Sequence, residues 1–411
     1  MKLILADHPD IPPTQLEEAS QVVIFNKEAY SKVDMKNVAV DSDYQPNKIA
    51  TDEEFDTLRE WLKGHFFYDG IDIGSLVQNT FIDLFGHEVL RQTKTIEKIL
   101  QTEQPSEVKV FSNPKPVYDW SPLGSGQIIP GIPEAVATTE NIHFRGCSKS
   151  ITKRRIKSKV FKLVGPSVLR PLDWGSEMIS RTRGDEPPHD SDIILFVFTK
   201  NNIKVVEPVV EALDNGVNLT VVTHSHGFLN TGGEISAVLS NLDVPVVPLE
   251  QYASLASYKD EVNTATQLGK AHNSAQPLSN HREHKLCGVD LTSALQSRRW
   301  LYSTLQYPRV VRYVNMIQNM FRTEQPAAVL LKNDGPLPTR AVATVAADEG
   351  TPTVLIQHGV DLPSRRYVPV SEQIAVWGER WQKVMQAKGV KPERTEITGA
   401  PQFDHLASYS A

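Results

Sequence analysis

The sequence predicts an α/β protein built on parallel sheets with helices on both faces. Short apolar runs alternate with segments of helical period along most of the chain, the pattern of repeated strand and crossover-helix units. Several runs, such as IILFVF (193–198), are continuously apolar, as strands buried on both faces are. The joints between them carry helix caps, turn residues and prolines. A chain of 411 residues exceeds one ordinary domain of roughly one to two hundred residues, so two or three are expected.

In the first part, LILA (3–6), VVIF (22–25) and VAV (38–40) read as strands bounded by polar turns. Thr51 followed by Glu54 forms a capping box that opens a helix ending near Gly64. Leu76, Phe81, Leu84, Leu90, Ile96 and Leu100 mark the buried side of two helices broken around Gly86. The helix then meets Thr102-Glu103-Gln104-Pro105 and the strand EVKVFS; the same four residues recur at Thr323-Glu324-Gln325-Pro326 before AVLLKN. Two ordinary helix-to-strand joints ended by proline account for this, and so does a shared βαβ grammar.

The second half repeats the alternation. LTVVT (219–223) follows a helix that stops at Asn215 and Gly216. VPVVPL (244–249) has prolines suited to a sheet edge. Leu301, Leu305, Val310, Val314, Ile317 and Phe321 mark a helical face. AVLLKN (328–333), a helix over about 339–349 and TVLIQ (353–357) then form a compact βαβ unit. The expected divisions are an N-terminal α/β domain at 1–146, a basic and proline-rich linker at 147–190, a second α/β domain at 191–370, and a crossover segment at 371–411.

Ligands of parallel sheets sit beyond the carboxyl ends of the strands, so the candidate site is read there. Lys200 follows IILFVF, and His224 and His226 follow LTVVT. Asn333, Asp334 and Gly335 follow AVLLK, with Thr339 and Arg340 at the next helix start; Gln357, His358 and Gly359 follow TVLI. His358 is the candidate general base, because an imidazole titrates near neutrality and the adjacent glycine admits close approach. A strand-end histidine with a turn glycine is the plainer alternative. His224 and His226 share a face if extended, but a zinc site would need ligands from elsewhere, so no metal site is assigned.

Several classes are excluded or unsupported. The formal charge of −6 gives no chain-wide case for nucleic-acid binding. No GxGxxG, GxxxxGK[ST] or GxSxG motif occurs. Asp-Ser-Asp occurs at 41–43 and 190–192, the second before a strand rather than after one. Cys147 and Cys287 have no CxxC pairing and read as incidental thiols. The N-terminal apolar run is too short for a secretory leader, and no window approaches the roughly 18 apolar residues of a membrane span, so a cytoplasmic location is expected. Residues 149–162 carry seven Lys or Arg and no acid (Lys149, Lys153, Arg154, Arg155, Lys157, Lys159, Lys162): a solvated loop, or a contact with an anionic membrane surface.

The order TPTVLIQHGV (351–360), QIAVWGERWQKVMQAKGV (373–390) and TEITGAPQFDHL (395–406) resembles the central segment of GT-B-type transferases of surface and capsule polysaccharide synthesis. It is similar to CDP-glycerol glycerophosphotransferases and, more distantly, to UDP-N-acetylglucosamine 2-epimerases. The resemblance implies Rossmann-like domains in a GT-B-like architecture, with His358 matching the base for the acceptor hydroxyl and Gly359 the glycine beside it. Trp377, Gly378, Gly399 and Pro401 match structural positions at the domain crossover.

The Val360-Asp361-Leu362-Pro363 that follows departs from the glycerophosphotransferase pattern, so a glycerophosphate donor is not implied. The chain ends at Ala411, shortly after ITGAP, so a further C-terminal donor domain is expected to be missing or on another chain. The implied activity is sugar transfer from a nucleotide-sugar donor to a surface-polysaccharide acceptor, with Asp334 orienting the base or acceptor and no cofactor or DxD-bound metal. Asn333, Gly335, Thr339, Arg340, Gln357, Gly359, His224, His226 and Lys200 line the substrate side. A nucleotide-sugar 2-epimerase and a non-catalytic binding subunit are the alternatives.

Overall fold

The computed structural model describes residues 1–8, 11–26, 30, 33, 37–46, 51–63, 66–112, 128–129, 131–146, 170–197, 200–213, 216–224, 244–273, 285–292, 294, 301–357, 359 and 368–408. The chain forms two compact units, one of residues 1–65, 80–167 and 268–306, the other of 66–79, 168–267 and 307–411. The units therefore interleave along the chain and do not follow single cuts at 146 and 190. Polar ties are one reason. The hairpin of Phe67–Tyr68 and Ile71–Asp72 joins the second unit because Tyr68 Oη donates to Asp260 Oδ2 at 2.8 Å and Gln318 Nε2 donates to Asp69 Oδ2 at 2.8 Å. Cys287 joins the first unit through Sγ, 2.8 Å from Glu54 Oε1. Burial and Glu54 push that thiol up to about 12, so it remains protonated at neutral pH.

The first unit carries five parallel strands: Lys2–Ala6 (β1), Gln21–Ile24 (β2), Val38–Val40 (β3), Glu107–Phe111 (β4) and His143–Arg145 (β5). Their order is β3, β2, β1, β4, β5. The capping box forms, with Thr51 N–H donating to Glu54 Oε2 at 2.6 Å and Glu54 N–H donating to Thr51 Oγ1 at 3.3 Å. The expected break at Gly86 is instead a π-turn over Ile82–Gly86, running directly into the helix His87–Glu103 (α1).

The second unit carries seven parallel strands: Ile193–Val197 (β6), Leu219–Thr223 (β7), Val246–Pro248 (β8), Ala328–Leu331 (β9), Thr353–Ile356 (β10), Gln373–Val376 (β11) and Thr395–Ile397 (β12). Their order is β8, β7, β6, β9, β10, β11, β12. The proline-bearing β8 lies at an edge, where missing amide donors cost least. Strands β11 and β12, read from sequence as a crossover segment, are the sixth and seventh strands of this sheet. Both sheets are Rossmann-like, since the first three strands run outward one way and the fourth returns to the other side of the first.

The two units share a plan, and the Thr-Glu-Gln-Pro echo marks it. A five-residue π-turn precedes the long helix of each along the chain: Ile82–Gly86 runs into α1, and Tyr302–Gln306, itself counted with the first unit, runs into Tyr307–Glu324 (here α5) of the second. Each helix ends at Thr-Glu-Gln-Pro with the glutamine left-handed, φ 43° at Gln104 and 47° at Gln325, just before the fourth strand. In each, the third strand runs into a four-residue 3-10 turn ending in tyrosine, Asp41–Tyr44 and Leu249–Tyr252. The tyrosine hydroxyl then donates to the echo's glutamate: Tyr44 to Glu103, and Tyr252 to Glu324 at 2.8 Å. Twelve residues before each glutamate a buried arginine meets carboxylates. Arg91 binds Asp41 and Glu88, each at 2.6 Å, and Arg312 binds Glu177 at 2.5 Å and Glu261.

Around Arg312 the second unit holds a buried ionic core from three helices, residues 170–183 (α2), Leu255–Asn273 (α4) and α5. Arg309 pairs with Asp173, Arg170 Nε lies 3.5 Å from Glu261 Oε1, and Trp174 Nε1 donates to Glu261 Oε2 at 2.9 Å. Burial pushes the Glu177 carboxyl up to about 8 against the pull of Arg312, and the nearby Glu250, Asp173 and Glu261 add to the rise. Burial opposes charge on Arg312, but Glu177 and Glu261 outweigh it, so the guanidinium stays protonated.

Two outcomes follow from this core. Arg312→Met removes the buried cation between Glu177 and Glu261 and is expected to destabilise the protein by about 3–5 kcal/mol in urea unfolding. Because the folded Glu177 holds its proton more tightly than the unfolded chain does, its contribution to stability is full at acid pH and is lost as pH rises through about 8. Glu177→Gln should therefore flatten the decline of unfolding free energy over that window; an unchanged slope would show that another group sets it.

Candidate functional site

The candidate site is the carboxyl edge of the seven-stranded sheet. Val222, Phe196, Leu331, Leu355, Ile374 and Thr395 are register neighbours across six strands. Two residues further along β7, β9 and β10 stand His224, Asn333 and Gln357, so the parallel register raises these three polar residues to one level. At the usual strand spacing, His224 and Asn333 are two strands, ~10 Å, apart. The change of direction in strand order falls between β6 and β9, where such sheets open a crevice.

His224 is buried at the end of β7. Its Nε2 lies 2.5 Å from Tyr313 Oη, with the two rings edge to face at 4.9 Å, and 3.9 Å from Glu250 Oε1. Burial raises the Tyr313 phenol far above its ordinary value, so it enters the contact as a neutral hydroxyl. The opposite sheet face is apolar: Leu195, Val197 and Val221 pack with Val205 and Val210 of the helix Lys200–Ala212 (α3). His226 and His358 lie outside the described residues. Lys200 begins α3 in the backbone, and its side chain is outside the description.

The β9 end is organised by its own side chains. Asn333 Oδ1 accepts the Gly335 N–H at 2.8 Å, a turn closed by an asparagine, and Gly335 O accepts from Asn79 Nδ2 at 3.4 Å. Asp334 is fully buried. Its Oδ2 accepts from Val370 N–H at 2.8 Å and from the Ser371 N–H and hydroxyl, both at 2.6 Å. Burial raises the Asp334 carboxyl above its ordinary value, against those hydrogen bonds and the charge of Arg340. Asp334 therefore pins the segment leading into β11.

Thr339 and Arg340 lie in the first turn of the helix Leu337–Asp348 (α6). Thr339 Oγ1 donates to Pro336 O at 3.1 Å; Arg340 donates to Ser75 O at 3.3 Å and Val368 O at 3.4 Å. Gln357 is engaged at both ends of its amide, accepting the Trp377 N–H at 3.0 Å and donating to Gly359 O at 3.0 Å. Its backbone carbonyl also accepts from Trp377 Nε1 at 2.9 Å. Among the described residues, a Cβ added at Gly359 would meet no atom within 4 Å, so packing alone does not demand glycine there. At Gly399 the backbone does, with φ at 82°.

The remaining candidate motifs resolve differently. The first Asp-Ser-Asp forms the 3-10 turn after β3, where Asp41 pairs with Arg91 and Asp43 Oδ2 accepts the Val40 N–H at 3.2 Å. Asp192 Oδ2 accepts the Asn218 N–H at 2.9 Å, at the amino edge of the second sheet. One residue at the end of β9 escaped the sequence reading. Lys332, the first residue after β9, is buried, and burial lowers the pKa of its ammonium group. A lysine closing the apolar run AVLL is the signal that marks it. No family model matches the chain, and the search of curated proteins finds no similar protein.

What the edge does chemically is hold its loops. Asp334→Ala would leave the Val370 and Ser371 donors without their acceptor and is expected to cost about 2–5 kcal/mol. Asp334→Asn should cost less, since it keeps one acceptor oxygen. Equal thermal stability of wild type and Asp334→Ala would show that the tie is idle.

Proposed function

We propose that the chain is a glycosyltransferase of GT-B type, or its acceptor-side portion, moving a sugar from a nucleotide-sugar donor to a surface-polysaccharide acceptor. The observation that carries this reading is the common level of His224, Asn333 and Gln357 at the carboxyl edge of a Rossmann-like sheet, with His358-Gly359 next in sequence. The resemblance of residues 351–406 to polysaccharide transferases adds the reaction class.

In this mechanism the neutral imidazole of His358 takes the proton of an acceptor hydroxyl. The oxygen forms a bond to the anomeric carbon as the bond from that carbon to the nucleoside diphosphate breaks, and the diphosphate leaves. Asp334 is a positioning residue, because its contacts run to the 370–371 backbone and Ser371. Arg340 and Lys200 are the candidates for anionic groups of the donor, and Gly359 for close approach of the acceptor.

A second reading has its own support. The side chains of Asn333, Asp334 and Gln357 hold neighbouring loops, as a module that binds a ligand without transforming it would require. Product assays distinguish the two. His358→Ala is expected to lower turnover by about 10²–10⁴-fold, read as nucleoside diphosphate released from nucleotide sugar with a glycan acceptor, while donor binding by calorimetry is retained. Near-normal turnover in the variant sinks the base role. Donor bound but never consumed by wild type favours the binding module, and a 2-epimer formed without acceptor favours epimerase chemistry.

A further inference from the structure

Two polar side chains and a helix end meet at one level on the α3 side of the larger sheet. Register places Thr223, the last residue of β7, beside Val197, the last residue of β6. The pairing of Leu331 with both Phe196 and Leu355 puts Lys332, the next residue, level with Val197 and Ile356. Residues opposite one another in a parallel sheet share a face, and the core shows which face this is. Val197, Val221, Leu330 and Ile356 pack with Val205 and Val210 of α3. Thr223 therefore continues the line of Val221, and Lys332 that of Leu330, on the side that α3 covers. The helix begins at Lys200, just after β6, so its amino end stands at the same carboxyl edge, and its first turn holds no acidic residue. Thr223 is fully buried, and among the described residues its Oγ1 has no hydrogen-bond partner. Such a hydroxyl costs stability until something completes it. Lys332 is 7% exposed, and its buried ammonium group is favoured by an anion beside it.

We infer that the amino end of α3, Thr223 and Lys332 form a binding site for a phosphate or diphosphate group. The helix supplies backbone N–H donors and the positive end of its dipole. Lys332 adds a cation and Thr223 a hydroxyl donor, and an oxyanion with several acceptor oxygens can engage all three at once. The strand order changes direction between β6 and β9, so these groups flank the crevice where ligands of such sheets lie. Thr223 and Lys332 stand two strands apart, ~10 Å between Cα atoms, a width that admits a diphosphate between their side chains. Phe198 and Thr199 are the only residues between β6 and α3, with no glycine, so the hold falls on these side chains and the helix end rather than on a glycine-rich loop. Nucleotides and lipid-linked carriers both present this group. The inference does not rest on the proposed transfer reaction.

The test is calorimetry of the full chain with inorganic pyrophosphate, uridine diphosphate and geranyl diphosphate. All three are expected to bind, equally if the site reads the diphosphate alone. Tighter binding of uridine diphosphate assigns the group to a nucleotide, and tighter binding of geranyl diphosphate assigns it to a lipid carrier. Lys332→Met should weaken binding at least about tenfold. Thr223→Val should weaken it about three- to tenfold while thermal stability is kept or raised, because the hydroxyl it removes has no partner among the described residues. Lys383→Met, at an exposed position of the helix Glu379–Ala387, should leave binding unchanged. Circular dichroism and thermal unfolding report whether each variant folds. The proposal is overturned if wild type binds none of the three, if either folded site variant binds as wild type does, or if Lys383→Met weakens binding as much as Lys332→Met. No product is formed in this assay, so its outcome is separate from that of the turnover test of His358.

Discussion

The second unit depends on the burial of one guanidinium. Arg312 is fully enclosed and contacts Glu177 and Glu261, carboxylates on two other helices. A charge so placed must be matched, because the desolvation cost of an isolated ion exceeds what ordinary packing supplies. Among the described residues, Asp173, Glu250 and Glu261 surround Glu177 with like charge. Burial first, and then these carboxylates, displace its titration upward against the pull of Arg312. Helix α2 shows the consequence, with Glu177 buried and Leu172, Met178 and Ile179 exposed. Its polar residues face inward because their partners are there, and its apolar residues are left outside.

The same device recurs in smaller form in the first unit, where Arg91 meets Asp41 and Glu88. In both units the third strand's 3-10 turn is fastened by a tyrosine to the glutamate that ends the crossover helix. In each case a hydroxyl donating to the helix-end carboxylate, half-buried at Glu103 and buried at Glu324, ties the end of the helix just before the next strand. The contact lies just ahead of the fourth strand, which pairs with the first. Two sheets of different strand number thus keep one order of strands.

At the carboxyl edge of the larger sheet the side chains divide by task. Asn333, Asp334, Arg340 and Gln357 donate to or accept from backbone groups of neighbouring segments, giving the edge a fixed outline. His224 belongs to the buried polar layer through Tyr313 and Glu250. A preorganised outline of this kind is what a site needs before any reacting group can be held within hydrogen-bond reach of a substrate.

The elements themselves were legible in local chemistry. Continuous apolar runs marked β6, β7, β9 and β10, Thr51 and Glu54 marked a helix start, and the prolines around Val246 marked an edge strand. The α/β fold class followed from their alternation, and the polar residues His224, Asn333 and Gln357 that follow these runs stand at one level of the sheet. Sequence also held the Thr-Glu-Gln-Pro echo, but not its meaning, which lies in tyrosines 59 and 72 residues away in the chain. The π-turns, the interleaving of the units, the place of β11 and β12 in the same sheet and the burial of Lys332 and Arg312 were decided only by tertiary structure. The physical reason is that periodicity records which face of an element is apolar, whereas pairing of buried charges and the neighbours of a strand depend on residues far apart in sequence. An arginine on a helix looks solvated until the carboxylates that enclose it are brought into place.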